Sequence, residues 1–354
     1  MKITIEDVAQ KANVSISTVS QVFNDKGRIS EKTKNKVLKV AEKMGYEPRQ
    51  YNKKISMENI AVLIHEERCQ ENNLSSFYNK ILKGMELELK KENYQIIIKS
   101  LVGVKKEDRK MINNIIQDES FKGVVITGYE IDPELISRIR NSSLSILLLD
   151  NDYLAGELDC VLNDNFKGAY QITKHIIELG HKDIAFVGGP LNHVSLYKRF
   201  NGYSYALKKA GLDKEKNYFF GEEHFNWEGG YEIARKIFSE NKTRISAVFA
   251  ANDNTALGVL KSVLEMGYSV PEDIAIAGFD DILMAKYSHP TLTTVKIFKE
   301  KMGKIAGQKL LQLLNNKNKQ ETNIMQPKTV LPVELKIRES TRGRVDNLEA
   351  SIKN

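Results

Sequence analysis

Over the first forty-five positions, apolar residues recur at helical spacing between short polar breaks. Thr4 to Ala12 (TIEDVAQKA) opens with Thr4 and, three residues on, Asp7, a capping-box-like start that predicts a short helix. Ser15 is a good N-cap for the next segment, Ser15 to Asn24 (SISTVSQVFN), where Val19, Val22 and Phe23 share one face. Only Asn13 and Val14 separate the two, a turn short enough to pack the helices at a steep angle as a helix-turn-helix. In such a unit the N-terminal residues of the second helix are the ones offered to base edges. Ser30 caps a third predicted helix through about Met44, with Val37, Val40, Ala41 and Met44 as its core stripe and Gly45 as its stop.

From Glu58 the pattern changes to apolar runs alternating with amphipathic stretches. Strands are predicted at Asn59–Ile64, Gln95–Lys99, Gly123–Ile126 and Ser145–Leu149, with helices at Phe77–Lys91, Lys105–Gln117 and Pro133–Arg140 between them. The alternation then restarts. Strands are predicted at Cys160–Leu162, Asp183–Val187, Tyr218–Phe220, Ala247–Ala250 and Ile274–Ala277. Helices fall at Phe166–Leu179, Arg199–Ala210, Trp227–Ser239 and Asn254–Met266. Strands that are apolar throughout belong to parallel sheets covered on both faces. Two tandem units of this kind predict a bilobed α/β body, with a ligand cleft at the carboxyl ends of the strands.

Charge sharpens the division. Residues 1–56 hold ten Lys and two Arg against six acids, whereas the remaining residues are nearly balanced, so almost all of the net +7 lies in the helical segment. Such a domain gains affinity for DNA by counterion release. No run of eighteen apolar residues occurs and the N-terminus reads as an amphipathic helix, so neither a membrane span nor a leader is expected, and a cytoplasmic location is. The two cysteines, Cys69 and Cys160, have no disulfide or zinc pattern. The six histidines are scattered, and HExxH, GxSxG, a P-loop and GxGxxG are absent. Neither an enzyme, a metal nor a cofactor is expected; His181, after Gly180, reads as a turn residue.

Residues 3–55 closely resemble the headpiece of the lactose-repressor (LacI/GalR) family of bacterial transcription regulators. The resemblance rests on Ile5-x-Asp7-Val8-Ala9, Val14-Ser15-x-x-Thr18-Val19-Ser20, Asn24, Thr33, Val37 and Gly45-Tyr46-x-Pro48. It implies that Ile16, Ser17 and Gln21 face base edges. Ser15, Thr18, Ser20 and Asn24 would lie near phosphates, with Thr4 in the same DNA-facing set. The family usually has Arg where this chain has Gln21, and glutamine pairs with adenine N6/N7, which predicts an unusual operator base there. Pro48 to Ile55 sits where the family has a hinge helix that folds on DNA, with Ile55 at the minor-groove wedge position and Asn52 and Lys53 departing from the usual pattern.

The resemblance continues over the body at Asp164-Asn165-x-x-Gly168-Ala169, Arg199-x-x-Gly202-Tyr203, Asn252-Asp253-x-x-Ala256-Leu257-Gly258, Gly278-Phe279-Asp280-Asp281 and Leu292-Thr293-Thr294-Val295. It implies a fold similar to periplasmic sugar-binding proteins, with crossings between lobes near Leu162, Pro290 and Gln326. Asp150, Arg199, Asn252 and Asp280 match positions that hydrogen-bond an effector in the family, and Phe77, Tyr78 and Trp227 are candidate stacking groups. Asp253 is expected to be the N-cap of the helix from 254, Asp281 a cap of the next turn, and Trp227 is equally readable as core.

The expected organisation is a small all-α headpiece (1–47), a hinge segment (48–57), a bilobed periplasmic-binding-protein-like body with parallel sheets (58–341) and a polar tail (342–354). The lobes are expected at about 58–161 with 291–325, and 162–290 with 326–341. The expected function is a repressor binding a pseudopalindromic double-stranded operator as a homodimer, controlled by a small molecule, by default a sugar or sugar derivative. The alternative is a cytosolic sugar-binding protein with a vestigial headpiece. Leu348 and Ile352 in the tail are too few for a coiled coil, so no tetramer is expected.

Overall fold

Helix α1 (Ile5–Ala12) begins where Thr4 accepts from the Asp7 amide while the Asp7 carboxylate accepts from the Thr4 amide, a complete capping box. The computed structural model describes residues 3–23, 29–46, 57–65, 77–103, 105–127, 132–152, 158–189, 191, 193–212, 218–221, 225–239, 244–318 and 328–342. Two compact units, Met1–Met57 and Glu58–Asn354, divide the chain. In the first, α2 (Ile16–Phe23) follows α1 after a left-handed Asn13, and α3 (Glu31–Met44) is capped by Ser30 and closed by a left-handed Gly45. Val8, Ala9, Ala12, Val19, Val22, Val37 and Ala41 form its core.

The second unit contains two parallel sheets. The first has six strands in the order β11-β5-β4-β3-β1-β2. These are β1 (Glu58–His65), β2 (Tyr94–Leu101), β3 (Phe121–Thr127), β4 (Ser145–Leu149), β5 (Cys160–Asn163) and β11 (Lys328–Leu331). Alternate side chains serve opposite layers. Ile60, Val62 and Ile64 pack under α4 (Tyr78–Leu89) and α12 (Lys299–Asn318), whereas Ala61 and Leu63 pack under α5 (Lys105–Gln117) and α6 (Pro133–Arg140). Helices α4 and α12 cross at backbone contact: a Cβ on Gly303 would overlap the Ile81 carbonyl, and one on Gly84 the Glu300 carbonyl.

The second sheet runs β7-β6-β8-β9, that is β7 (Tyr218–Gly221), β6 (Ile184–Gly188), β8 (Ala247–Ala250) and β9 (Ala275–Ala277). Helices α7 (Asn165–Glu178) and α8 (Val194–Lys209) cover one face; α9 (Trp227–Phe238) and α10 (Asp253–Glu265) cover the other, with the short α11 (Met284–Tyr287) beside them. An antiparallel pair, β10 (Thr294–Lys296) with β12 (Glu334–Lys336), joins this lobe through bridges from Thr293 to Ala277 and from Lys296 to Asp280.

The crossings between lobes differ from those expected. The first crossing is expected near Leu162, yet β5 runs on to Asn163 paired with β4 and β11 in the first sheet, because Cys160 and Leu162 fill one first-lobe core and Val161 the other. The chain passes into the second lobe only at Asp164. The return lies between Lys296 and Lys299 instead of near Pro290, since Val295 packs in the second-lobe core beside Phe279. The third crossing follows Leu331, not Gln326: β11 is a first-lobe edge strand and Leu331 lies in that core. Asn24, the hinge segment through Ile55 and the tail beyond Arg342 lie outside the described residues.

Candidate functional site

In the first unit, the helical period of α2 sorts its side chains into two sets. Val19 and Val22 are buried against α1 and α3, while Ile16, Ser17 and Gln21 are exposed together, with Ile16 at 48%. An isoleucine so exposed at a helix N-terminus contributes nothing to the core. The Ser15 hydroxyl accepts from the Thr18 amide at 3.0 Å and lies 2.7 Å from Ser17 Oγ and 2.8 Å from Thr18 Oγ1, so it fixes the start of the helix that carries the exposed set. Thr18 and Ser20 are half-buried at its flanks, and Thr4 anchors α1.

In the second unit, residues at the carboxyl ends of the strands meet between the lobes. Asp150 follows β4 in a left-handed conformation, and Ser195, at the start of α8 in the other lobe, donates to its Oδ1 at 3.2 Å. One turn along α8, Arg199 is only 4% exposed. Its Nε donates to Asn165 Oδ1 at 2.8 Å, its Nη1 to the Ala251 carbonyl at 2.5 Å and its Nη2 to Asp280 Oδ1 at 3.0 Å, and the guanidinium lies 3.8 Å from the centre of the Phe279 ring. This is a buried, hydrogen-bonded ion pair, not a surface one.

The cap expected of Asp253 is made by Asn252. Asn252 is the N-cap of α10, accepting from Thr255 N at 2.8 Å and donating to the Phe225 carbonyl at 2.8 Å. Asp253 is fully buried, accepting from Thr294 Oγ1 at 2.5 Å and Ile282 N at 2.8 Å. Burial first, and then Asp280 nearby, push its carboxyl up to about 8. Asp281 does not cap a turn; it pairs with Arg338 at 2.5 Å.

The aromatic candidates part company. Phe77 is half-buried and its ring centre lies 5.6 Å from Lys299 Nζ. Tyr78 is 3% exposed and packs inside the first-lobe core, so its ring has no open face for stacking. Trp227 is not core: it is 40% exposed and stacked on Tyr231, one turn along α9, at 5.4 Å and 14°. His181 is buried and bonded to Ser246 Oγ at 2.9 Å.

Four cleft groups were not singled out from sequence. Besides Ser195 these are Asp152, Lys198 and Lys299. Asp152 is buried, and burial works against its charge, yet Lys328 at 2.8 Å and Lys198 at 3.4 Å hold its carboxyl below the usual range. Lys198 comes from α8, so this pair, like Asp150 with Ser195, ties one lobe to the other. Lys299 opens α12 of the first lobe and donates to the Asp280 carbonyl of the second. Lysine and serine are common enough that only their place in the fold marks them. Thr127, at the end of β3, has a buried Oγ1 with no hydrogen-bond partner among the described residues.

A basic helix-turn-helix with an exposed recognition face, followed by a bilobed binding fold with a polar cleft, defines a ligand-responsive DNA-binding protein. Residues 4–49 match the model of bacterial regulatory proteins of the lacI family, and residues 173–341 match a periplasmic binding protein-like domain. The chain is 31% identical to the HTH-type transcriptional regulator RegA of Clostridium saccharobutylicum, over 96% of this chain and 100% of that protein. It is 30% identical to the HTH-type transcriptional repressor PurR of Vibrio atlanticus, over 89% and 93%. Among solved structures, the transcriptional regulator CelR in complex with cellobiose superposes with a TM-score of 0.72 at 25% identity, over 96% of this chain and 99% of that one. The chain belongs to the LacI family of bacterial transcriptional regulators, whose members named here are regulators and not enzymes. Among the described residues no helix is long and apolar enough to cross a membrane.

Proposed function

We propose that this protein is a repressor that binds a pseudopalindromic operator as a homodimer and is controlled by a small molecule held between the lobes of its second unit. The observation that carries the DNA half is the α2 face, Ile16, Ser17 and Gln21, exposed on a helix whose other side is buried and whose start is pinned by Ser15. Gln21 is exposed on that face, and a glutamine amide can pair bidentately with adenine, so the operator is expected to carry an adenine at the base it meets. Phosphate contacts from the Lys-rich unit then set register, one half-site per headpiece.

The effector half is supported by the convergence of Asp150 and Asp280 from two strand ends and Arg199 from the second turn of a helix, with Phe77 beside them. CelR was solved with cellobiose and is this chain's structural neighbour, which favours a sugar or sugar derivative. A dimer is supported by α11, where Leu283, Met284 and Tyr287 are 61%, 56% and 68% exposed in one short stretch. An effector that prefers one lobe arrangement shifts operator affinity; its differential affinity for the two arrangements limits the shift.

The test is enrichment of genomic fragments by purified full-length protein, with and without a small-molecule extract of the source cells. One inverted repeat is expected, with binding that weakens steeply as salt rises. No enrichment under either condition would sink the proposal.

A further inference from the structure

The ammonium of Lys299 is a cation taken out of water without a carboxylate of its own. The residue is 6% exposed, and its Nζ donates to the Asp280 carbonyl and lies 3.4 Å from that of Asp281. No described carboxylate forms an ion pair with it, and the three nearest are engaged elsewhere. Asp280 pairs with Arg199, Asp281 with Arg338, and Asp253 accepts from Thr294 and Ile282. Burial pushes the Lys299 ammonium below the usual lysine range despite these neighbours. A buried charge is costly unless an opposite charge meets it. Keeping a lysine here, where a methionine would fill the same space, calls for a function.

Position supplies one. Lys299 lies between Phe77 of the first lobe and Asp280 of the second, two residues of the candidate effector set, and it is the first residue of α12 after the chain crosses back between the lobes. We propose that Lys299 is a specificity-determining residue of the effector cleft and that it selects a ligand bearing an anionic oxygen group, a carboxylate or a phosphate. This rests on the effector-cleft function proposed above and narrows it from sugars at large to acidic sugar derivatives and similar small anions. Such a group accepts charge-assisted hydrogen bonds from the Lys299 ammonium, while the hydroxyls of the same ligand address Asp150 and Asp280. A neutral sugar offers the ammonium only hydroxyl oxygens, a weaker hydrogen bond with no opposite charge.

The experiment is a thermal-shift and calorimetric titration of the full-length protein with matched probes: glucose, gluconate and glucose 6-phosphate; ribose and ribose 5-phosphate. Cell extract divided by an anion-exchange resin into retained and unretained fractions completes the set. Each probe is tested on wild type, Lys299→Met and Lys299→Arg, with circular dichroism confirming that both variants fold. The expected result is that binding resides in an anionic probe or in the retained fraction. It should fall by about tenfold or more in Lys299→Met, as for loss of a charged hydrogen bond, and be kept in Lys299→Arg. Retention of anion binding unchanged in Lys299→Met overturns the assignment to Lys299. Binding confined to neutral probes or the unretained fraction also overturns it while leaving the cleft as an effector site. No response to any probe or to whole extract overturns the effector cleft itself, and this inference with it.

Discussion

Replacing Arg199 with Met tests whether the ion pair at the floor of the cleft is as buried as the structure has it. The side chains of Arg199 and Asp280 are 5% and 11% exposed, and all three donor groups of the guanidinium are used within one residue's reach. Methionine fills the volume of the stem but leaves the Asp280 carboxylate, the Ala251 carbonyl and Asn165 Oδ1 without their donor. Breaking a buried pair from one side costs about 3–5 kcal/mol, because the remaining charge stays desolvated. The same pair at the surface would contribute about 1 kcal/mol or less. Trp227 is the chain's single tryptophan and lies in the same lobe, so its fluorescence reports urea unfolding of this region directly. With a urea m-value of about 3 kcal/mol/M, the midpoint should fall by about 1 M or more. Adding Asp280→Asn to Arg199→Met removes the stranded charge and should recover part of the loss, a coupling of about 0.5–3 kcal/mol. A single-variant cost below about 1 kcal/mol, with no recovery in the double variant, would refute the buried-pair argument.

Three further outcomes follow from local geometry. Gly303→Val drives a side chain into the Ile81 carbonyl where α4 and α12 touch, and should cost about 1–3 kcal/mol or more by scanning calorimetry; an unchanged melting temperature would mean that the helices are not in backbone contact. Ser15→Ala removes the hydroxyl that caps α2 and should lower the protection of α2 amides in hydrogen exchange by about 1 kcal/mol, with the second unit unaffected; equal protection would deny Ser15 its capping role. Asp253 has its folded-state carboxyl raised from 3.8 to about 8 by burial and by Asp280, so its contribution to stability is complete below the unfolded value and is lost as pH rises through about 8. Asp253→Asn cannot ionise, so its melting temperature relative to wild type should climb between about pH 4 and about pH 8 and level off above that; a flat difference would contradict the raised carboxyl.

The headpiece was legible because its determinants are local. Thr4, Asp7, Ser15, Ser30 and Gly45 act within one turn of themselves, and all five serve as the caps and stops their sequence positions predicted. The alternating body was legible for a related reason: strands apolar on both faces and amphipathic helices declare their layers without reference to partners. What sequence did not give was which sheet a short apolar run joins. Cys160–Asn163 and Lys328–Leu331 have composition that suits either lobe, and only the pairing of β5 with β4 and β11 decides. Helix α12 is not among the elements predicted from sequence, although Met302, Ala306, Leu310 and Leu314 recur every four residues on its buried side. That signal was present and would have moved the second crossing to its observed place. Asn252 and not Asp253 makes the cap because both residue types cap helices well, and the choice turns on Thr294 and Ile282, distant in sequence, which hold Asp253.

Lys299 could not be found from sequence by any local rule, because its neighbours Phe77, Asp253, Asp280 and Asp281 lie far from it along the chain. The same is true of α8, where recognition and lobe arrangement meet in little more than one turn. Ser195 and Lys198 reach the first lobe at Asp150 and Asp152, while Arg199 holds the floor of the second at Asp280. A ligand that competes for Asp150 or Asp280 therefore acts on the helix that joins the lobes, with no longer pathway needed. Coupling then depends only on whether the ligand's contacts differ between the arrangement tied by Ser195 and Lys198 and one in which those ties are released. Among the described residues these ties are polar, whereas each lobe is held by its own apolar cores. A rearrangement that releases these ties leaves each sheet intact.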